Sequence, residues 1–235
     1  MSADVADRLA SVRARIEAAA ARSGRSPEEI TLVGVSKRIP VADVVKAVRA
    51  GLHSIAENYV QEATVKLPEL RAALGAAGLE APRTHFIGQL QRNKARHVVQ
   101  HFDVVETVDR AKLGEELDRR AAAAGRRLRV LLQVNVSGEA QKGGVSPREA
   151  PALLEQAAAW RHLQVAGLMT IPAAAADPRT AFARLRELRE ELRGASGGER
   201  LAELSMGMSG DFEVAIEEGA TSIRVGTAIF GPRPT

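Results

Sequence analysis

Lys37 is the side chain in this sequence whose position most favours chemistry. It follows directly after residues 31–36, an apolar run with the composition of a buried strand. In barrels and open sheets, residues at the ends of strands form the active site. A lysine that is desolvated there has a lowered pKa, and its neutral amine condenses with an aldehyde to form a Schiff base. A strand-terminal lysine that extends to solvent is the alternative interpretation.

A second group of candidates lies where a late apolar run ends at Gly226 and continues into Thr227. Glycine lets the main chain approach a ligand closely, and the amides that open a helix attract a phosphate. The preceding loop supplies the hydroxyls of Ser205 and Ser209, with Met206 between them. We predict that these residues contact a bound anion. A simple strand end at the glycine and helix capping by the serines are the alternatives.

Arg224 lies inside an apolar run, where a guanidinium is costly unless it is paired or directed at a ligand. It alternates with Ile223 and Val225, so it faces the interior of a barrel if those two face the helices. A salt bridge to a neighbouring strand is the alternative. Asn58 and Tyr59 follow another apolar run and are further candidates for the pocket, although an asparagine there could simply cap a helix.

The elements that must position these residues alternate along the chain. Residues 4–22 place apolar side chains at helical spacing, and eight short apolar runs then alternate with longer helix-like segments. The sequence therefore predicts an α/β fold, a single (β/α)8 barrel with an extra N-terminal helix, in one domain over residues 1–235. An open doubly wound sheet is the alternative. The apolar runs are residues 31–36, 53–56, 84–87, 103–106, 128–136, 163–169, 202–205 and 221–225.

The composition is that of an ordinary globular protein, with 45% hydrophobic and 26% charged residues. The first residues lack the apolar segment of a signal peptide, so we expect a cytoplasmic location and no membrane partner. The net charge of +4 is scattered and only 3% of residues are aromatic, which disfavours nucleic-acid binding. His97 and His101 have the spacing of a zinc-binding helix but no evident third ligand, so we predict no metal site.

Seven sequence blocks, in order along nearly the whole chain, resemble those of the pyridoxal phosphate homeostasis protein family. Two positions depart from the family pattern: Ala56 replaces a glycine, and Gln89 replaces a histidine. Both departures concern local loop contacts. The blocks are Val33-Gly-Val-Ser-Lys37, Glu57-Asn-Tyr-Val-Gln-Glu, His85-Phe-Ile-Gly, Gln133-Val-Asn-Val-Ser-Gly-Glu, Gly167-Leu-Met-Thr-Ile-Pro, Leu204-Ser-Met-Gly-Met-Ser and Ile223-Arg-Val-Gly-Thr-Ala-Ile-Phe-Gly.

The resemblance implies a barrel like that of alanine racemase, with pyridoxal 5'-phosphate (PLP) bound as an aldimine on Lys37. It further implies that Arg224 faces the pyridine nitrogen and that Ser205 or Ser209, with Gly226 and Thr227, contacts the phosphate. Asn58 and Met206 complete the set of cofactor-binding residues that we predict.

The same resemblance favours a cofactor carrier over an enzyme. An arginine opposite the ring nitrogen leaves that nitrogen unprotonated, which weakens the cofactor as an electron sink. A two-base racemase could still work with such a ring, but it needs a second acid or base. In alanine racemase that group is a tyrosine from a second domain, and Tyr59 is the only tyrosine here. We therefore expect a monomeric protein that takes part in PLP homeostasis and passes the vitamin B6 cofactor to apo-enzymes. A PLP-dependent amino-acid racemase is the alternative.

Overall fold

The eight strands form a closed parallel barrel, paired in chain order from β1 to β8, and β8 pairs back with β1. The structure is a computed structural model that describes residues 4–139, 142–173, 177–195 and 197–232. The closed barrel confirms the predicted fold class and excludes the open doubly wound sheet. The strands are β1 (Thr31–Val35), β2 (Ser54–Glu57), β3 (Arg83–Phe86), β4 (Val104–Val108), β5 (Leu128–Gln133), β6 (Leu163–Met169), β7 (Glu203–Ser205) and β8 (Ser222–Val225).

A helix follows each strand and covers the outside of the barrel, while the first helix precedes β1. Two short 3-10 helices, Pro27–Glu29 and Arg92–Lys94, lie in connections. The α-helices in the described residues are α1 (Val5–Arg22), α2 (Val41–Arg49), α3 (Val60–Ala76), α4 (Ala95–His101), α5 (Ala111–Ala123), α6 (Ala150–Ala157), α7 (Pro178–Arg193), α8 (Phe212–Glu217) and α9 (Thr227–Phe230).

Helix α1 is the predicted extra N-terminal helix. Asp4 caps it, and Asp7 completes a capping box that satisfies amides of the first turn. Its buried face, which includes Leu9 and Val12, packs against α8 and α9. Arg8 adds a hydrogen bond from Nε to the carbonyl oxygen of Ile229 at 2.7 Å. The extra helix therefore supports the two short helices that follow β7 and β8.

The inside of the barrel holds a small apolar cluster of its own. This cluster is separate from the main core, which lies between the strands and the helices. Val33 and Val35 of β1 form a small cluster with Ala56 and Ile87, distinct from the main core. The intervening Gly34 faces outward, where its nearest side chain is that of Leu52 in the main core. The alternation along β1 is the two-residue period of a strand. Val33 and Val35 therefore face the inside of the barrel, and Gly34 faces the surrounding helices.

Replacing Gly88 by alanine is expected to lower the free energy of unfolding by about 1–3 kcal/mol, the usual cost of overpacking. A Cβ on Gly88 would overlap the main chain of Asn58. Gly75→Ala is the matched control, since a Cβ there meets no heavy atom within 4 Å outside its helix. Alanine at that position should stabilise α3 by about 0.5–1 kcal/mol. Urea denaturation followed by circular dichroism measures both variants, and equal stability of the two would contradict the described packing.

Candidate functional site

Four of the predicted site residues lie in loops at the carboxyl end of the barrel. Lys37 follows β1 and Asn58 directly follows β2, while Ser209 and Gly226 follow β7 and β8. Strand β1 pairs with both β2 and β8, and β8 pairs with β7. These four strands are therefore consecutive around the barrel, and the loops that leave them adjoin one another. Loops at this end form the binding sites of barrel proteins.

Lys37 lies in a tight turn whose main chain is held by neighbouring elements. The amide of Ser36 donates to the carbonyl of Ala56 at 2.9 Å, and the Ser36 hydroxyl donates to Oε1 of Glu57 at 2.7 Å. Arg38 has a φ of 59°, the one positive φ of a non-glycine residue in the described part of the chain. A positive φ is unfavourable for any residue other than glycine, so contacts around the turn must stabilise the backbone of Arg38.

Asn58 places a buried polar atom in the loop after β2. The residue is partly buried, and its side-chain oxygen Oδ1 is buried without a hydrogen-bond partner among the described residues. Buried polar atoms in folded proteins nearly always have a partner. An unpartnered oxygen in the loop after β2 therefore fits a ligand with a donor group at the carboxyl end of the barrel.

Arg224 is buried inside the barrel, at 3% exposure, as its alternation with Ile223 predicts. Its Nη1 donates to the Ser205 hydroxyl at 2.5 Å, and Nη2 donates to the carbonyl of Thr170 at 2.8 Å. Nη1 also lies 3.8 Å from Oε2 of Glu106. Burial lowers the pKa of Arg224, and nearby carboxylates oppose this shift. A guanidinium nevertheless remains charged in proteins. Arg224 is thus held rigidly in place as a buried cation.

Glu106, which is not among the predicted site residues, is the buried carboxylate at the centre of this network. It accepts a hydrogen bond from the Ser205 hydroxyl at 2.6 Å, and Oε1 lies 2.7 Å from Nδ1 of His85. Burial by itself raises the pKa of Glu106. The hydrogen bond and charge of His85 outweigh this effect together with Arg224 and Ser205, and they hold the pKa of Glu106 below its ordinary value. The sequence does contain a signal for Glu106, because this residue interrupts an apolar run just as Arg224 does.

The loop after β7 and the start of α9 converge on one hydroxyl. Ser209 Oγ accepts hydrogen bonds from the amides of Gly226 at 3.3 Å and Ala228 at 3.5 Å. Thr227 between them is exposed. An anion oxygen suits the same donors, because amides that open a helix carry partial positive charge. The predicted residues Ser209, Gly226 and Thr227 therefore lie together.

The other two predicted residues of the β7 loop have different surroundings. The Ser205 hydroxyl is engaged by Glu106 and Arg224 inside the barrel. Met206 is fully buried, its side chain belongs to the main hydrophobic core, and its amide donates to the carbonyl of Ser222 at 3.1 Å. Ser205 therefore lies with Arg224, whereas the Met206 side chain packs away from the others.

Exposed apolar side chains occur in loops that follow the strands. Tyr59 follows β2 and is 46% exposed, and the loops after β6 and β7 expose Ile171 and Met208. In the described ranges, acidic and histidine side chains do not form a group of three or more that could hold a metal ion. None of the helices in those ranges is both long enough and apolar enough to cross a membrane.

The fold and this arrangement define the class of protein. A family model described as the alanine racemase N-terminal domain matches residues 8–234. An alanine racemase of Clostridium difficile superposes with a TM-score of 0.71 at 14% identity, over 97% of this chain and 58% of the racemase chain. The molecule is therefore a barrel of the alanine racemase N-terminal-domain class.

Curated relatives narrow the class. The chain is 45% identical over 233 residues to the pyridoxal phosphate homeostasis protein of Pseudomonas aeruginosa, covering 97% of this chain and 96% of the relative. The Escherichia coli protein of the same name is 43% identical over 235 residues, which cover 98% and 97% of the two chains. The chain belongs to the pyridoxal phosphate homeostasis protein family, as the sequence blocks predicted.

Solved structures agree with this assignment. PipY of Synechococcus elongatus, in a structure with PLP bound, superposes with a TM-score of 0.83 at 38% identity, over 97% of this chain and 100% of PipY. A Bifidobacterium adolescentis protein described as unknown reaches a TM-score of 0.91 at 38% identity, over 96% and 94% of the two chains. The barrel and its extra helix are thus shared with a PLP-binding relative.

Proposed function

We propose that this protein binds PLP as a Schiff base on Lys37 and acts in intracellular PLP homeostasis and delivery, without catalytic turnover of its own. The observation that carries the proposal is the convergence of the Lys37 turn and the Ser209 and Gly226 cradle on adjacent loops at one end of the barrel. The names of the relatives and the PLP-bound PipY structure support the choice of cofactor.

The residues fit both ends of such a cofactor. PLP, when bound, supplies an aldehyde that joins a lysine amine with loss of water. The amides of Gly226 and Ala228, with the hydroxyls of Ser209 and Thr227, would hold the phosphate. The geometry favours Ser209 over Ser205 for this contact, because the Ser205 hydroxyl already pairs with Glu106 and Arg224 inside the barrel.

Arg224 would face the pyridine nitrogen and keep it unprotonated. Its guanidinium is oriented by Ser205, Thr170 and Glu106, so it presents a fixed cation that does not donate its proton fully. Asn58 would complete the pocket through its unpartnered Oδ1. The Met206 side chain would contribute only as packing beneath the loop.

The lack of a positioned second acid or base supports a carrier over a racemase. An unprotonated ring nitrogen makes PLP a weaker electron sink, and a racemase that uses such a ring still needs a second acid or base. Tyr59, the only tyrosine in the sequence, is half-exposed at the start of α3 and has no hydrogen bond that would hold its hydroxyl in a catalytic position among the described residues. We further propose that residues 1–235 act as one monomeric cytoplasmic unit that meets apo-enzymes transiently and binds neither nucleic acid nor membrane.

The proposed function is tested by titrating the purified protein with PLP and recording its visible absorption spectrum. A new band shifted from that of free PLP is expected. Reduction with borohydride followed by peptide mass mapping should place the cofactor on Lys37. Incubation of the loaded protein with single amino-acid enantiomers should leave their chirality unchanged. An unaltered spectrum of PLP, or an adduct mapped to another lysine, would refute the proposed site, and steady racemisation would favour the enzyme.

A further inference from the structure

A buried lysine lies directly beneath the turn that carries Lys37. Lys66 of α3 is only 7% exposed, and its Nζ donates to the carbonyl oxygen of Ser36. The same ammonium lies 2.9 Å from Oε1 of Glu57 and 3.2 Å from Oε1 of Glu62. Glu57 is completely buried. Lysines are almost never buried unless they are paired, so this placement needs a physical reason.

The carbonyl that Lys66 holds belongs to the peptide unit joining Ser36 to Lys37. A peptide unit is planar, so fixing its oxygen also fixes the direction in which the chain enters Lys37. The amide of Ile39 donates to this oxygen as well, at 2.9 Å. A carbonyl accepts two hydrogen bonds, and both are therefore used.

The peptide unit on the other side of Lys37 is held from the same turn of α3. The amide of Arg38 belongs to that unit and donates to Oε1 of Glu62 at 2.5 Å. Glu62 and Lys66 are four residues apart, so they lie on one face of the helix and contact each other. The positive φ of Arg38 is unfavourable for a side chain, and the Glu62 contact stabilises it. Both peptide units that flank Lys37 are thus clamped by one helical turn.

From these contacts we infer that Lys66 is a positioning residue. Together with Glu62, it sets the direction in which Lys37 is presented to the cofactor aldehyde. The inference rests on the proposed role of Lys37. Glu57 serves this arrangement as the buried counter-ion. Burial raises the pKa of Glu57, while the charge and hydrogen bond of Lys66 oppose that shift. Lys66 and Glu57 thus depend on each other beneath the turn.

The test compares two ligands that differ only where Lys37 acts. PLP carries the aldehyde, whereas pyridoxine 5'-phosphate carries a hydroxymethyl group in its place and binds through its ring and phosphate alone. Lys66→Met is expected to weaken PLP affinity and to slow growth of the visible band by about tenfold or more, the scale of effect that misplacing a reacting group produces. Affinity for pyridoxine 5'-phosphate should change by less than about twofold. Lys46→Met removes an exposed helical lysine and is the matched control.

A second variant distinguishes a loss of positioning from a loss of folding. Lys66→Met leaves the Glu57 carboxylate buried without its partner, so the double variant Glu57→Gln with Lys66→Met removes that charge and should give the same selective loss of PLP binding. Wild-type PLP affinity and band growth in both variants would overturn the positioning role. Equal weakening of both ligands would also overturn it, because a general structural defect acts on ring and phosphate contacts alike. A visible band that survives Lys37→Ala would instead show that the proposed function itself is wrong.

Discussion

Lys37→Ala is expected to abolish the visible absorption band that the protein develops with PLP. Lys37 is the lysine at the carboxyl end of β1, next to the loops that hold the anion cradle. Of the other lysines, Lys66 is engaged by Glu57 and Ser36, and Lys46 pairs with Asp43 on the surface. Lys142 pairs with Glu139 and donates to the carbonyl of Pro172. Lys94 and Lys112 lie in the second 3-10 helix and in α5, outside the loops that follow β1, β2, β7 and β8. No other lysine is therefore expected to replace it at the aldehyde.

The Lys37→Ala variant should still bind the cofactor non-covalently. The contacts of the Ser209 loop and Arg224 do not depend on Lys37, so phosphate and ring recognition should persist. Retention of PLP through gel filtration should fall by about tenfold or more, because a covalent bond chiefly slows release. Lys46→Ala is the control and should keep both band and retention. A Lys37→Ala protein with an undiminished band would show that another amine holds the cofactor.

The positions of the strands could be predicted because each is a short apolar run between helical segments. Strand β6 occupies residues 163–169 as predicted, whereas β4 extends to Val108, two residues beyond the predicted run. The predicted run ends at Glu106, because a second polar residue, Thr107, follows it. In the barrel Glu106 is compensated by His85, Ser205 and Arg224, so a carboxylate can lie buried within β4. The pairing of β4 with β5 shifts register at this point, between Val105 and Val108.

The site could be predicted only where a residue's position in its strand determined its role. Lys37 and Arg224 stand out because a charge at the end of an apolar run, or within it, has few physical explanations. Lys66 and Glu62 do not stand out, since charged residues four apart on a helix usually face solvent. Their contact with the Lys37 turn depends on how α3 lies against β2 and the turn after β1, which no local pattern encodes.

Glu106→Leu is expected to lower the free energy of unfolding by about 3–5 kcal/mol, the usual cost of removing one partner from a buried ion pair. Arg224 is 3% exposed, and loss of the carboxylate would leave its guanidinium buried without that charge. The Ser205 hydroxyl would also lose its acceptor. Urea denaturation near neutral pH measures the change.

The double variant Glu106→Leu with Arg224→Met should be less destabilised than the sum of the two single variants, because it leaves neither charge unpaired. PLP bound to this double variant should nevertheless lack the contact between its ring and Arg224. Glu190→Leu, which removes an exposed carboxylate that pairs with Arg189 and Arg193, is the control and should cost less than about 1 kcal/mol. Strictly additive losses from the two buried substitutions would show that Glu106 and Arg224 are not energetically coupled.

Acid should remove the contribution of Glu106, and the direction of the effect follows from its pKa. The folded protein holds that pKa below the ordinary value of 4.5, so the ionised carboxylate stabilises the fold above that value. The contribution is lost as pH falls through the lower pKa of the folded state, where protonation breaks the pairing with Arg224 and His85. The stability difference between wild type and Glu106→Gln should therefore be largest near pH 7 and shrink progressively below about pH 4. A difference that grows on acidification would mean that Glu106 is protonated in the native barrel, and Arg224 would then need another counter-charge.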